Sequence, residues 1–125
     1  MPTPRAQIED HGWDVVYVPH EDIWRYNACY RVELDGDVVF PPAADDLGIP
    51  LNEIWLSERW REYERYLLFH ELREIEYRAA GLGKTEAHAR AEQDELDRFA
   101  EEERWREMNA RWDAGRAHLP GADGV

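Results

Sequence analysis

The first half of the chain carries short hydrophobic runs of the kind that form β-strands. Each run is rich in β-branched and aromatic residues and is bounded by proline, glycine or polar turn residues. Between two of these runs stands Asp35-Gly36, a pair typical of a two-residue hairpin turn because both central positions need positive φ. The pattern predicts strands over Asp14–Pro19, Ala28–Leu34, Asp37–Phe40 and Glu53–Leu56.

The second half of the chain changes to helical spacing. After Ser57, a favourable N-cap, apolar side chains recur every three or four residues. This pattern predicts a helix from Glu58 to about Ala80, which Gly81-Leu82-Gly83 would end. Thr85 is expected to cap a second helix that runs from Glu86 to about Ala114.

These elements predict an α+β fold, with a small N-terminal antiparallel β-sheet followed by two long helices in an antiparallel hairpin. A chain of 125 residues has room for one core, and we expect a single domain over residues 1–115. The segment 116–125, rich in glycine, proline and alanine, is expected to be a flexible tail.

Composition excludes several classes of function. The chain has 28 acidic and 15 basic residues and a net charge of −13, whereas binding to nucleic acid requires a basic face. No run approaches the roughly 20 apolar residues of a membrane span, and the N-terminus lacks the apolar core of a signal peptide. We therefore expect a cytoplasmic protein without nucleic-acid or membrane partners. The single Cys29 excludes an internal disulfide and a cysteine-based zinc cluster.

Candidate chemistry is concentrated on the two predicted helices. His70 and Glu74 are four residues apart, so they share a helical face that continues through apolar residues. A histidine and a carboxylate that point toward the interior need each other or a cation, because an unpaired buried charge is costly. On the second helix, His88, Glu92 and Glu95 form another polar stripe among small alanines that would let the helices approach closely.

Together, His70, Glu74 and His88 would supply two imidazoles and one carboxylate. Three protein ligands with an open fourth position are typical of a catalytic zinc site. Glu95 or Glu92 would be a fourth ligand or would orient His88. The expected cofactor is Zn²⁺, although the same ligand types also suit Mn²⁺, Fe²⁺ or Ni²⁺.

The strand Glu53–Leu56 and the helical motif His70-Glu71-x-x-Glu74 resemble the very small gluzincin-like members of the zincin metallopeptidases. In the His-Glu-x-x-His motif of that family, both histidines bind zinc and the glutamate is the general base. The resemblance implies a zincin-like domain in which Glu71 is the catalytic base and Glu53–Leu56 aligns a peptide substrate. Glu74 stands where the family has its second histidine, so His88 would supply that imidazole.

A second resemblance covers Ile54 to Glu95, about a third of the chain. A group of uncharacterised short phage and archaeal proteins has an Ile-Trp-Ile-like strand, His-Glu-x-x-Glu, a glycine turn and Ala-His-x-x-Ala-x-x-x-Glu. The matching segments here are Ile54-Trp55-Leu56, His70-Glu71-x-x-Glu74, Gly81 to Gly83, Ala87-His88, Ala91 and Glu95. This resemblance favours Glu95 over Glu92 as the supporting residue.

The combined expectation is a zincin-like metal-binding protein that acts as a hydrolase of peptide or amide bonds on a peptide or protein substrate. Two alternatives stay open: an acidic protein-binding, inhibitor or DNA-mimic protein, and a metal with a purely structural role. Trp105, Met108 and Trp112 would form a homodimer surface if they are exposed. The remaining histidines are expected to be surface residues: His11, His20 and His118.

Overall fold

The hydrophobic runs of the first half form a small sheet, and the helices complete an α+β fold. The computed structural model describes residues 2–116, with side chains described as far as residue 112. The strands are β1 (Asp14–Val18), β2 (Ala28–Leu34), β3 (Asp37–Val39) and β4 (Glu53–Ser57). The α-helices are α1 (Pro4–Asp10), α2 (His20–Ile23), α3 (Ala43–Leu47), α4 (Glu64–Ala79), α5 (Lys84–Phe99) and α6 (Glu103–Arg116), and a 3-10 helix spans Glu58–Tyr63.

The sheet is mixed, so the prediction of an antiparallel sheet is wrong in part. Its strand order is β1-β4-β2-β3, with β2 antiparallel to both β4 and β3. The predicted Asp35-Gly36 turn joins β2 to β3, and both residues have positive φ, 52° and 88°. β1 instead runs parallel to β4, with Asp14 opposite Glu53. No local turn sets that direction, because β2 and β3 lie between the two strands in sequence.

β4 lies inside the sheet, which corrects the expectation that Glu53–Leu56 aligns a substrate. Val15 of β1 pairs with Ile54 on one side, and Tyr30 of β2 pairs with Ile54 on the other. A strand that is paired along both sides has no free backbone edge for a peptide. The substrate-strand role implied by the zincin resemblance therefore does not apply to this strand.

Both predicted helices are interrupted, the first at its start and the second between Phe99 and Glu103. The first begins as the 3-10 helix Glu58–Tyr63, where the side chain of Ser57 accepts a hydrogen bond from the backbone N–H of Arg59. α5 begins at Lys84 with Gly83 as its N-cap, so Thr85 lies inside the helix instead of capping it.

Phe99 and Glu102, which lie where α5 ends and α6 begins, both contact α4. Phe99 is buried, and its ring meets the rings of Tyr66 and Phe69 edge-on at centroid distances of 5.0 and 4.9 Å. Glu102 accepts hydrogen bonds from Arg65 and from the Tyr66 hydroxyl. These tertiary contacts hold residues 99–102 against α4. Because α5 ends at Phe99 and α6 begins at Glu103, the prediction of one helix from Glu86 to about Ala114 is wrong.

The two central strands, β2 and β4, contribute residues to two cores, one on each face of the sheet. On one face of β2, Ala28, Tyr30 and Val32 join the main core. Cys29, on the opposite face, joins a smaller core that includes Ile23 of α2 and the alanines of α3. The main core also contains buried residues of α1, α4, α5 and α6, among them Ile8, Leu68, Ile75, Phe99 and Met108.

The aromatic residues of α6 pack on the core of the same chain. Met108 is buried, and Trp105 and Trp112 are partly buried against the main core. The ring of Trp112 lies 5.2 Å from that of Trp60. Met108 and part of each tryptophan are therefore covered within the chain, and a homodimer through this face stays a prediction.

None of the helices in the described part of the chain is long and apolar enough to cross a membrane. The predicted flexible tail, residues 116–125, lies almost wholly outside the described residues, which end at residue 116.

An ion pair at the start of α4 ties three elements together and gives a prediction for stability. Arg5 donates two hydrogen bonds to the Glu64 carboxylate, at 3.0 and 2.7 Å, and Tyr17 donates another at 2.5 Å. These bonds, that of Arg5 first, lower the pKa of Glu64 below its ordinary value of 4.5. The pair therefore stabilises the fold above that value, and the stabilisation is lost as the pH falls through the lowered pKa.

We expect Glu64→Gln to cost about 1 kcal/mol or less at pH 7, since the pair is partly exposed. The difference in urea midpoint between this variant and the wild type should shrink as the pH falls below about 4. Glu86→Gln, at an exposed position on α5, is the control, and its urea midpoint should equal that of the wild type both at pH 7 and below pH 4. A Glu64→Gln penalty that grows as the pH falls would contradict the prediction.

Candidate metal centre

The candidate centre lies where α4 meets α5. Ala87 and Ala91 of α5 are fully buried, and their small side chains let the two helices approach closely. At this contact His70 and Glu74 on α4 meet His88 on α5. The structure thus brings together all three residues that the sequence predicts as the principal metal ligands.

One atom from each residue forms a compact triangle. His70 Nε2 lies 3.1 Å from His88 Nδ1, and His88 Nδ1 lies 3.1 Å from Glu74 Oε1. The third side, from His70 Nε2 to Glu74 Oε1, is 3.6 Å. The Glu74 side chain is fully buried, while those of His70 and His88 are 12% and 26% exposed. The site is therefore closed on the Glu74 side and borders the surface near His88.

The size of the triangle matches a tetrahedral zinc ion. Zinc bonds of about 2.0–2.1 Å to nitrogen and oxygen give ligand separations of about 3.3–3.4 Å. The three observed separations average about 3.3 Å. The circle through the three atoms has a radius of about 1.9 Å, so a point at zinc-bond distance from each lies about 0.7 Å out of their plane. A tetrahedral ion sits at that height above three of its ligands.

The second nitrogen of each ring contacts a glutamate of α5. Glu95 Oε1 lies 2.8 Å from His70 Nδ1, and Glu92 Oε1 lies 2.9 Å from His88 Nε2. Both glutamates contact the ring nitrogen that is not in the triangle, so each holds one histidine. Sequence reasoning offered Glu95 and Glu92 as alternative supports for His88, whereas the structure gives Glu92 to His88 and Glu95 to His70.

This arrangement fixes how the rings present their lone pairs. In a neutral imidazole, the nitrogen that donates to a carboxylate carries the hydrogen and the other nitrogen carries the lone pair. His70 Nε2 and His88 Nδ1 then face each other beside an oxygen of Glu74. Three electron-pair donors at this distance need a cation between them, either a proton or a metal ion.

The pKa directions within the cluster also favour a cation between these three atoms. Burial lowers the pKa of His70, but its contacts with Glu74 and Glu95 outweigh burial and raise it well above the usual 6.5. The pKa of His88 is also raised, because its contacts with Glu74 and Glu92 exceed the effect of burial. Burial raises the pKa of Glu74, but its contacts with both imidazoles prevail and hold that pKa far below the usual range. Positive charge between the two rings is strongly favoured.

Glu71, the predicted catalytic base, is a buried carboxyl next in sequence to His70. Its side chain is 2% exposed, and its Oε2 atom is buried without a hydrogen-bond partner in the described part of the chain. Burial, and then the charge of Glu74, raises the pKa of Glu71 to about 8. Buried polar atoms in proteins nearly always have a partner, so an orphaned carboxyl oxygen indicates a missing polar group. The donor set and this oxygen both fit a divalent metal ion.

Tyr30 is a member of the site that sequence reasoning missed. The Tyr30 hydroxyl donates a hydrogen bond of 2.5 Å to Glu74 Oε2, and both side chains are fully buried. Tyr30 reaches the site from β2, more than forty residues before Glu74. The only signal in the sequence is its position in the strand, which shares the core-facing side with Ala28 and Val32.

His11 and His20 lie away from this cluster. His11 stacks on Trp13 with ring centroids 4.2 Å apart. His20 is not an isolated surface residue, because its Nδ1 lies 2.8 Å from the Ser57 hydroxyl. Ser57 is fully buried, and its hydroxyl also caps the 3-10 helix, so the pair has no accessible nucleophile. His118 lies outside the described residues.

Comparison with known proteins does not place the chain in a family: no protein-family description, curated protein or solved structure matches it. The geometry of the site is therefore the basis for the function proposed below.

Proposed function

We propose that this protein binds one divalent transition metal ion, Zn²⁺ by preference, through His70 Nε2, His88 Nδ1 and Glu74 Oε1. The observation that carries the proposal is the convergence of these three atoms, with separations of 3.1 to 3.6 Å. Glu95 and Glu92 would hold the two imidazoles, as carboxylates commonly do for histidine ligands of metals.

The proposal includes a zincin-like arrangement of the two site helices. It is supported by their contacts: Tyr66, early in α4, meets Phe99 at the end of α5, while Glu74, later in α4, meets His88 near the start of α5. This order is that of two helices running in opposite directions, as in an antiparallel hairpin. The ligand types are those of the zincin set, with the second imidazole supplied by α5.

As a reaction we propose hydrolysis of peptide or amide bonds, with Glu71 as general base. A zinc ion in such a site acts as a Lewis acid toward a carbonyl oxygen and lowers the pKa of water. Glu71 would take a proton from the attacking water and return it to the leaving nitrogen. Its burial and its orphaned oxygen support this role, because a base of raised pKa accepts a proton readily. The proposal includes no alignment of substrate on β4.

Metal uptake tests the proposal directly. Protein stripped with a chelator and returned to equimolar zinc should bind about one ion per chain, measured by elemental analysis, and should melt at a higher temperature. His70→Ala removes a ligand and should weaken zinc binding by more than the roughly 10–100-fold typical of losing a supporting residue. Competition with a chromogenic chelator measures that loss.

His11→Ala is the matched control, since His11 lies outside the cluster and is exposed. It should bind zinc as the wild type does. A wild-type protein that takes up no zinc and gains no thermal stability from it would remove the proposal. Chelation that unfolds the chain, followed by circular dichroism, would assign the metal a structural role and not a catalytic one.

A further inference from the structure

Glu74 offers its two carboxylate oxygens to different partners. Oε1 faces the two imidazoles, at 3.1 Å from His88 and 3.6 Å from His70. Oε2 accepts the hydrogen bond from the Tyr30 hydroxyl at 2.5 Å. Because Glu74 is fully buried, no solvent competes for either oxygen.

This division decides how many bonds Glu74 can make to an ion. A glutamate can bind a metal through one oxygen or through both, and the two modes occupy different numbers of coordination positions. A short hydrogen bond from a buried hydroxyl holds Oε2 on the β2 side, away from the imidazole nitrogens. Tyr30 is itself fixed, since its ring is completely buried in the main core between sheet and helices.

We propose that Tyr30 is a positioning residue that restricts Glu74 to single-oxygen binding and thereby keeps one coordination position free for an exogenous ligand. This inference rests on the proposed metal site. With two imidazoles and one oxygen from the protein, a tetrahedral ion retains one open position, which a catalytic site requires and a structural site lacks. If Oε2 were released, it would be free to bind the ion as well, so that an ion that also holds an exogenous ligand would become five-coordinate and would hold that ligand less tightly.

Tyr30→Phe tests the inference because it removes only the hydroxyl. In the cobalt-loaded protein, four-coordinate Co²⁺ absorbs visible light much more strongly than five- or six-coordinate Co²⁺, so the spectrum reports coordination number. We expect Tyr30→Phe to show weaker visible absorption than the wild type. We also expect its dissociation constant for acetohydroxamate, a small metal-binding probe, to rise at least about tenfold.

Tyr17→Phe is the matched control. Tyr17 donates a hydrogen bond of the same length, 2.5 Å, to Glu64, a carboxylate on the same helix but outside the site. It should lose a comparable bond while its cobalt spectrum and acetohydroxamate affinity stay those of the wild type. Equal spectra and equal probe affinities for Tyr30→Phe and the wild type would overturn the inference.

A measurement on the wild type keeps the inference testable if Tyr30→Phe does not fold. X-ray absorption of the zinc-loaded protein gives the distance from zinc to the carboxylate carbon, which is longer for single-oxygen than for two-oxygen binding. We expect the longer distance, and the shorter one would overturn the inference. Zinc and cobalt uptake are measured first: no uptake is a failure of the metal site, whereas uptake with two-oxygen binding is a failure of the role of Tyr30 alone.

Discussion

Glu71→Gln is expected to abolish most hydrolysis while leaving metal binding unchanged. Glutamine has nearly the same shape as glutamate but cannot take a proton, and a general base contributes roughly 10²–10⁴-fold to a rate. The variant should fold, because glutamine adds no charge at the buried position of Glu71, where Oε2 has no hydrogen-bond partner among the described residues. The rate is measured on fluorescein-labelled casein and on amino-acid p-nitroanilides, and zinc content by elemental analysis.

Glu76→Gln, on the exposed side of the same helix, is the control and should retain the wild-type rate. A zinc-loaded Glu71→Gln protein that is as active as the wild type would remove Glu71 from the reaction. A wild type that binds zinc but cleaves neither class of substrate would count against peptide or amide hydrolysis and would leave the metal site itself standing.

Leu68→Ala is expected to cause the largest loss of stability among simple substitutions on α4. Leu68 is fully buried in the main core, on the helix that carries His70 and Glu74. Truncating a buried leucine removes apolar contacts and leaves a cavity, at a cost of about 2–5 kcal/mol. That is a large part of the roughly 5–15 kcal/mol by which domains are stable. Urea unfolding followed by circular dichroism gives the loss.

Leu96→Ala is the control for Leu68→Ala, because it makes the same change in helix propensity at an exposed position. Leu96 lies on α5 and is 47% exposed, so Leu96→Ala should change the free energy of unfolding by no more than about 0.5 kcal/mol. Similar losses at the two positions would mean that Leu68 does not carry the core contacts described for it.

Local patterns predicted the features that depend on near neighbours. The Asp35-Gly36 pair sets the β2–β3 hairpin because the turn needs positive φ at both residues. His70 and Glu74 share a helical face because four residues are close to one turn, and that face does meet His88. These relations are fixed by backbone periodicity, which the sequence displays directly.

Features that depend on distant neighbours could not be predicted in this way. The parallel pairing of β1 with β4 is set by packing in the main core and not by a turn. Phe99, the last residue of α5, contacts the rings of Tyr66 and Phe69, whereas helical spacing in the sequence continues past it. The Tyr30–Glu74 bond depends on which strand lies beneath α4. Periodicity in the sequence shows which residues share a face of a helix or strand. It does not show which other helix or strand packs against that face.

The parallel pair also constrains the order in which the protein can assemble during synthesis. Asp14 pairs with Glu53, so the first strand leaves the ribosome about 40 residues before its neighbour. At translation rates of roughly 5–20 residues per second, that delay is about 2–8 s. During this interval β2 and β3 can already form their hairpin, whereas β1 has nothing to join. Closure of the sheet therefore waits until the nascent chain has extended past Ser57.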